Sequence, residues 1–174
     1  MNIRQVILKE HSQVMMKKVV DYVGANPTRF KELITIFLQG PYRVTQRVAW
    51  PLSYCMELHP THIKPHLSKV INYLLKPGIH DAVKRNIVRV LQFISIPRSL
   101  QGKVAYICFN YLNNPKEAIA VRVFSMTVLA NLSTENPELK NELIPLIEDQ
   151  LPFGSAGFRS RGIKVLRKLR KQLP

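Results

Sequence analysis

Four twelve-residue segments, VTQRVAWPLSYC from Val44, VKRNIVRVLQFI from Val83, VRVFSMTVLANL from Val121 and FRSRGIKVLRKL from Phe158, carry one apolar register at successive offsets of 39, 38 and 37 residues. In each, the first, fifth, eighth, ninth and twelfth positions form a set. The sets are Val44, Val48, Pro51, Leu52, Cys55; Val83, Ile87, Val90, Leu91, Ile94; Val121, Ser125, Val128, Leu129, Leu132; and Phe158, Gly162, Val165, Leu166, Leu169. At about 100° per residue these positions fall in one sector about 100° wide, the apolar stripe of an amphipathic helix. A unit that recurs at this interval cannot cover its own apolar face. It must stack on its neighbours, which restricts the chain to a repeat architecture.

Between these segments, helical periodicity runs through Thr28–Leu38, His62–Leu75, Ser99–Leu112 and Pro137–Leu151, with one more stretch at Glu10–Val23. Turn chemistry at GANP, QGPY, LHPTH, KPGIH, SIPRS, NNPK, TENP and PFGSAG separates them. Pro27, Pro41, Pro115 and Pro137 stand where helices are expected to begin, a position that tolerates the missing N–H. No stretch alternates convincingly as a strand. The expectation is an all-α chain of about nine helices forming one domain over 1–174. An N-terminal cap (1–26) precedes four helical hairpins at about 27–60, 61–97, 98–134 and 135–174, stacked as a right-handed α-α superhelix.

VRVFSMTVLANL resembles the second helix of a HEAT repeat, with an apolar residue, a basic one, a small one three further on, and leucines spaced beyond. Val121, Arg122, Ser125, Leu129 and Leu132 match that pattern, and Phe158, Arg159, Gly162, Leu166 and Leu169 match it again. Val83, Lys84 and Leu91 match with the larger Ile87 at the small position, and the first unit departs with Thr45 in place of the basic residue. The resemblance covers about Thr28 to Leu173. It implies a HEAT-like solenoid whose second helices line a concave surface, and a binding scaffold more often than any one activity. It also implies that Lys84, Arg122 and Arg159 link adjacent repeats.

Charge is the outlier in composition. Lys plus Arg total 26 against 11 for Asp plus Glu, a formal net charge of +15, and no acid follows Asp149. A positive field of this size selects phosphate backbones, anionic surfaces or acidic proteins as partners. The closing FRSRGIKVLRKLRKQLP keeps the repeat register, so it reads as a helix, not a cationic tail, and part of its charge is accounted for as polar capping of a terminal repeat. Cys55 and Cys108 are too few for a disulfide framework and have no metal-type spacing, so they read as buried thiols and the expected location is cytoplasmic. The N-terminus meets polar residues too early for a secretory signal, and no apolar run is long enough to span a bilayer, so no membrane insertion is expected.

Opposite the apolar stripe lie the third, seventh and tenth positions of each segment. Projection there gives Trp50 in the first, Arg85, Arg89 and Gln92 in the second, and Lys164 and Arg167 in the fourth, with Lys171 one turn further. These seven are the candidate binding residues of a basic concave surface. Trp50 either stacks a base or another flat group while the arginines hold phosphates, or folds over a neighbouring helix and fills a gap. Val123, Thr127 and Ala130 interrupt the row.

Signals for catalysis are sparse. His59, His62 and His66 cluster, and His62 and His66 stand at i, i+4, but no cysteine accompanies them and the segment straddles a proline-marked turn. No phosphate-binding glycine loop or nucleophile elbow is present, and no metal or cofactor is expected. The aromatic and basic surface is similar in kind to that of HEAT-like alkylpurine DNA glycosylases. Only Glu57 lies near it as an acid, whereas that chemistry needs an acid beside the flipped base. The expected function is therefore a non-catalytic scaffold recognising an acidic protein or peptide. Sequence-independent DNA or RNA binding is the alternative, and a glycosylase-like role a weaker one.

Overall fold

Three side-chain oxygens start the first three helices. Asn2 Oδ1 accepts from the Gln5 amide at 3.1 Å and opens α1 (Ile3–Lys9). Ser12 Oγ accepts from Met15 at 3.3 Å and opens α2 (Gln13–Val23). Asn26 Oδ1 accepts from Thr28 and Arg29 ahead of α3 (Pro27–Gln39), where Pro27 sits at the first helical position. Each cap satisfies amides that a helix start leaves open, and Pro27 has none to satisfy. The computed structural model describes residues 1–171; residues 172–174, the end of the expected fourth repeat, lie outside the described residues.

The chain divides into two compact units, with the division at Ser95/Ile96. The first unit continues with α4 (Tyr42–Leu58), α5 (Pro60–Ile63), a 3-10 turn at Lys64–His66, α6 (Leu67–Tyr73) and α7 (Asp81–Leu91). Here α3 packs on α4, α6 packs on α3 and α7 packs on α4, so successive helix pairs stack like on like. The second unit contains α8 (Arg98–Asn113), α9 (Ile119–Leu132), α10 (Leu139–Gln150), a 3-10 turn at Leu151–Phe153 and α11 (Ala156–Lys171). In it α8 pairs with α9, α10 pairs with α11, and α9 lies against α11. Each unit buries its own apolar stripes: Val44, Val48, Leu52, Val83, Ile87 and Leu91 in the first, and Val121, Leu129, Phe158, Leu166 and Leu169 in the second.

All nine expected helices are present as helical segments, and two features differ from expectation. The N-terminal segment is a hairpin, not a single capping helix: α1 packs on α2, and both pack on α4. Ile3 and Ile7 are buried, while the Arg47 guanidinium donates to the carbonyls of Ile7 and Leu8 at 2.9 Å and closes the open end of α1. The helix expected over His62–Leu75 is broken into α5, the 3-10 turn and α6, with Pro65 inside the turn, as a residue without an N–H dictates. Of the four marked prolines, Pro27 and Pro41 adjoin helix starts; Pro115 and Pro137 lie in the turns ahead of α9 and α10.

The small fifth position has a packing cause. A Cβ on Gly162 would come within 2.9 Å of Leu151 Cδ2 and 3.2 Å of Ile147 Cγ2, so the glycine lets α11 approach α10 closely. Position two has a cause as well. In the first repeat, Thr45 Oγ1 donates to the carbonyls of Phe37 at 3.0 Å and Gly40 at 3.2 Å, closing the end of α3. In the third, Arg122 Nε donates to the Leu112 carbonyl near the end of α8 at 3.4 Å, while Nη2 donates to Gln150 Oε1 of α10 and the guanidinium lies 4.8 Å from the Phe158 ring centre of α11. Threonine and arginine thus do the same job, satisfying carbonyls that the preceding helix leaves open.

Candidate functional site

The seven projected residues fall in different local settings, three of them already engaged. In the first unit, Arg89 of α7 turns back onto α4: its guanidinium pairs with Glu57 at 3.0 Å, donates to Ser53 Oγ at 3.3 Å and lies 4.9 Å from the centre of the Tyr54 ring. Its charge is largely answered inside the fold. Gln92 donates to the Arg89 carbonyl at 2.9 Å, closing the end of α7. Trp50 is half-buried, with the His11 ring edge-on at 5.5 Å, and the same pocket is lined by Met15, Met16 and Pro51. The gap-filling reading of Trp50 describes this geometry. Arg85 remains exposed. Together with Arg47, and with desolvation as the larger cause, it holds the His11 imidazole below its usual pKa.

In the second unit the cations of α11 sort by helix face. Arg161 donates to Thr127 Oγ1 at 2.7 Å and Lys168 to Asn131 Oδ1 at 2.9 Å, tying α11 to α9. Arg170 pairs with Glu148 of α10. Lys164, Arg167 and Lys171, all three candidates, are exposed, as is Arg159, and none of the four side chains has a hydrogen bond or ion pair among the described residues. This is the concentration of unanswered positive charge in that unit.

A cleft that projection did not reveal lies between α10 and α11. It is open to solvent and has a volume of about 760 Å³, with Leu151, Pro152, Ile163 and Leu166 as its apolar lining and Glu148, Arg167, Arg170 and Lys171 around them. Ile163 is 50% exposed, and Phe153, next in the chain to Pro152, is 90% exposed. The signal was present in the sequence: Ile163 is a large apolar residue outside the repeat's stripe.

The remaining chemistry is structural. The His59 and His62 rings stack at 5.4 Å, and His62 meets Phe30 edge-on at 5.6 Å. His62 lies in α5 and His66 ends the 3-10 turn that follows, so the i, i+4 spacing does not lie on one α-helix. No group of three or more His, Cys, Asp or Glu side chains suited to a metal occurs among the described residues. Both cysteines are free and buried, and burial pushes each thiol up to about 12. No helix among the described residues is long and apolar enough to cross a membrane.

No curated protein and no solved structure gives a significant match to the chain. A family profile described as a HEAT repeat domain matches residues 3–169, beginning in α1 and ending in α11. The match takes in the N-terminal hairpin as well as the four repeats visible from their register. With its hairpins stacked like on like within each unit and this profile over nearly its whole length, the chain belongs to the HEAT repeat domain family, whose repeats mediate protein interactions.

Proposed function

We propose that this HEAT repeat protein is a non-catalytic scaffold that binds an acidic segment of a partner protein through the exposed basic face of α11. One observation carries the reading: the side chains of Lys164, Arg167 and Lys171, and of Arg159 on the same helix, are exposed and have no counter-charge among the described residues, although α11 is held in place by five buried residues and by the bonded Arg161, Lys168 and Arg170. Charges left unanswered on a rigid helix are free to meet carboxylates without first breaking an internal pair. Arg85 adds one exposed cation in the first unit. Two buried, unpaired thiols fit work in a reducing compartment such as the cytoplasm.

The net charge of +15 favours nucleic acid as the second reading. Against it stand the settings of the two residues that reading needs most: Trp50 already has a ring partner, and Arg89 already has a carboxylate. Glu57, the acid that a glycosylase-like mechanism would recruit, is the other half of that ion pair. The test is fluorescence anisotropy with a labelled acidic peptide of about 16 residues and a labelled duplex of about 20 base pairs, each at about 50 and 200 mM salt. The expected result is saturable peptide binding that Lys164→Glu, Arg167→Glu and Lys171→Glu together weaken by at least about tenfold, or about 1.4 kcal/mol. Duplex binding that is tighter than peptide binding at the higher salt would overturn the reading.

A further inference from the structure

We propose that the cleft between α10 and α11 receives an acidic amphipathic helix of the partner, seating an apolar side chain on Ile163 and Leu166 and carboxylates on Arg167 and Lys171. The inference rests on the proposed function above and adds what shape and chemistry the partner segment must have. Three observations support it. The cleft's volume of about 760 Å³ is large enough to take several side chains, and its lining is apolar where it is contributed by Leu151, Pro152, Ile163 and Leu166. Ile163 of that lining is 50% exposed, and Phe153, next in the chain to Pro152, is 90% exposed, so the cleft offers apolar surface to a partner and a large apolar residue stands close to it in sequence. Along α11, Ile163, Arg167 and Lys171 follow at four-residue intervals, about one turn each, and all three line the cleft.

The spacing fixes the ligand. At 1.5 Å per residue, Ile163 and Lys171 are about 12 Å apart along the helix, so a docked helix needs about two turns, with an apolar residue leading and carboxylates following. A nucleic acid fits poorly, because its backbone would present phosphates to the apolar lining of Leu151, Pro152, Ile163 and Leu166 with no apolar group to fill it. A second copy of this chain fits poorly as well, since each copy carries a formal +15. An acidic helix answers both the lining and the rim.

The test compares two labelled peptides of equal negative charge, one with leucines at helical i, i+4 and i+7 positions and one with serines there. Binding of the leucine peptide at least about tenfold tighter than the serine peptide, with Ile163→Asp abolishing that preference, is the expected result. Ile163 is half-exposed, so the fold tolerates the change, and circular dichroism checks it. Arg167→Glu should weaken both peptides. Equal binding of the two peptides, unaffected by Ile163→Asp, would overturn the cleft inference and leave the acidic-partner reading standing. Failure of both peptides to bind would overturn both. Self-association lost in Ile163→Asp would assign the cleft to a second copy and overturn it too.

Discussion

Replacing Arg122 tests how one repeat is joined to the next. Its guanidinium bonds the Leu112 carbonyl of α8 and the Gln150 side chain of α10, and lies 4.8 Å from the Phe158 ring centre of α11. Arg122→Ala removes two charge-assisted hydrogen bonds, each worth about 1.5–3 kcal/mol in partly buried settings. It also removes a cation–π contact worth about 0.5–1 kcal/mol. Arg122 is half-buried, so water replaces part of what is lost, and discounting the sum by about half gives a net loss of about 2–3 kcal/mol. That is a large fraction of a stability of about 5–15 kcal/mol. Lysine is a point charge without the planar fork, so Arg122→Lys should recover less than half of the loss. The assay is urea unfolding followed by far-UV circular dichroism, with native-state amide exchange in α8, α9, α10 and α11. Trp50 fluorescence would be the wrong probe, because Trp50 belongs to the first unit. A loss below about 0.5 kcal/mol, or a lysine variant as stable as the parent, would refute the bridging account.

Three further outcomes follow from local geometry. Gly162→Val should destabilise by about 1–3 kcal/mol, since its Cβ alone would crowd Leu151 and Ile147; urea midpoints check it. Cys55 and Cys108, with thiols held up at about 12 against an ordinary 9.0, should resist a thiol reagent in the native state and react once unfolded. Because the folded values are raised, their contribution to stability is intact below about pH 9 and is lost as pH climbs toward 12, which urea midpoints across that range would read. His11 titrates below its usual 6.5, so its folded form resists protonation and its contribution is lost as pH falls through that lowered value. Trp50 fluorescence should therefore change with a midpoint below 6.5, and His11→Asn should remove the transition.

The sequence made the helices legible because the stripe repeats: the sets opened by Val121 and Phe158 are buried throughout, and the set opened by Val83 is buried as far as Leu91, where α7 ends, leaving Ile94 partly exposed beyond it. Seven-residue α1 escaped notice because Ile3 and Ile7 supply only one i, i+4 pair, too little for a period. Pro65 was visible, but whether a helix bends or breaks at it depends on packing. Site prediction fared unevenly for a different reason. Projection gives the angle of a side chain about its own helix and says nothing of what another helix brings to it. Arg85, Lys164, Arg167 and Lys171 project outward and are exposed, whereas Arg89 projects outward and meets Glu57 from α4. Trp50 likewise meets His11, 39 positions earlier in the chain. Ile163 marks the α11 side of the α10–α11 cleft, but the cleft also needs Glu148 of α10 and Leu151 and Pro152 of the 3-10 turn, so its shape is not legible from one segment.

The Arg122 network and the α11 basic face are two uses of the same residue type. Where a carbonyl, hydroxyl or amide oxygen waits at the right distance, the charge joins helices, as Arg122, Arg161 and Lys168 do. Where nothing waits, the charge faces solvent and is available to a partner.

The central claim is that the unanswered cations of α11 hold an acidic protein segment. The most direct test is a competition titration: a labelled acidic peptide bound to the intact protein, challenged with unlabelled peptide and with duplex DNA, for the parent and for the variant carrying Lys164→Glu, Arg167→Glu and Lys171→Glu. The account predicts that unlabelled peptide displaces the label, that duplex does so only at much higher concentration, and that the variant binds the peptide at least about tenfold more weakly. Undiminished peptide binding by the variant, or displacement by duplex ahead of peptide, would contradict it.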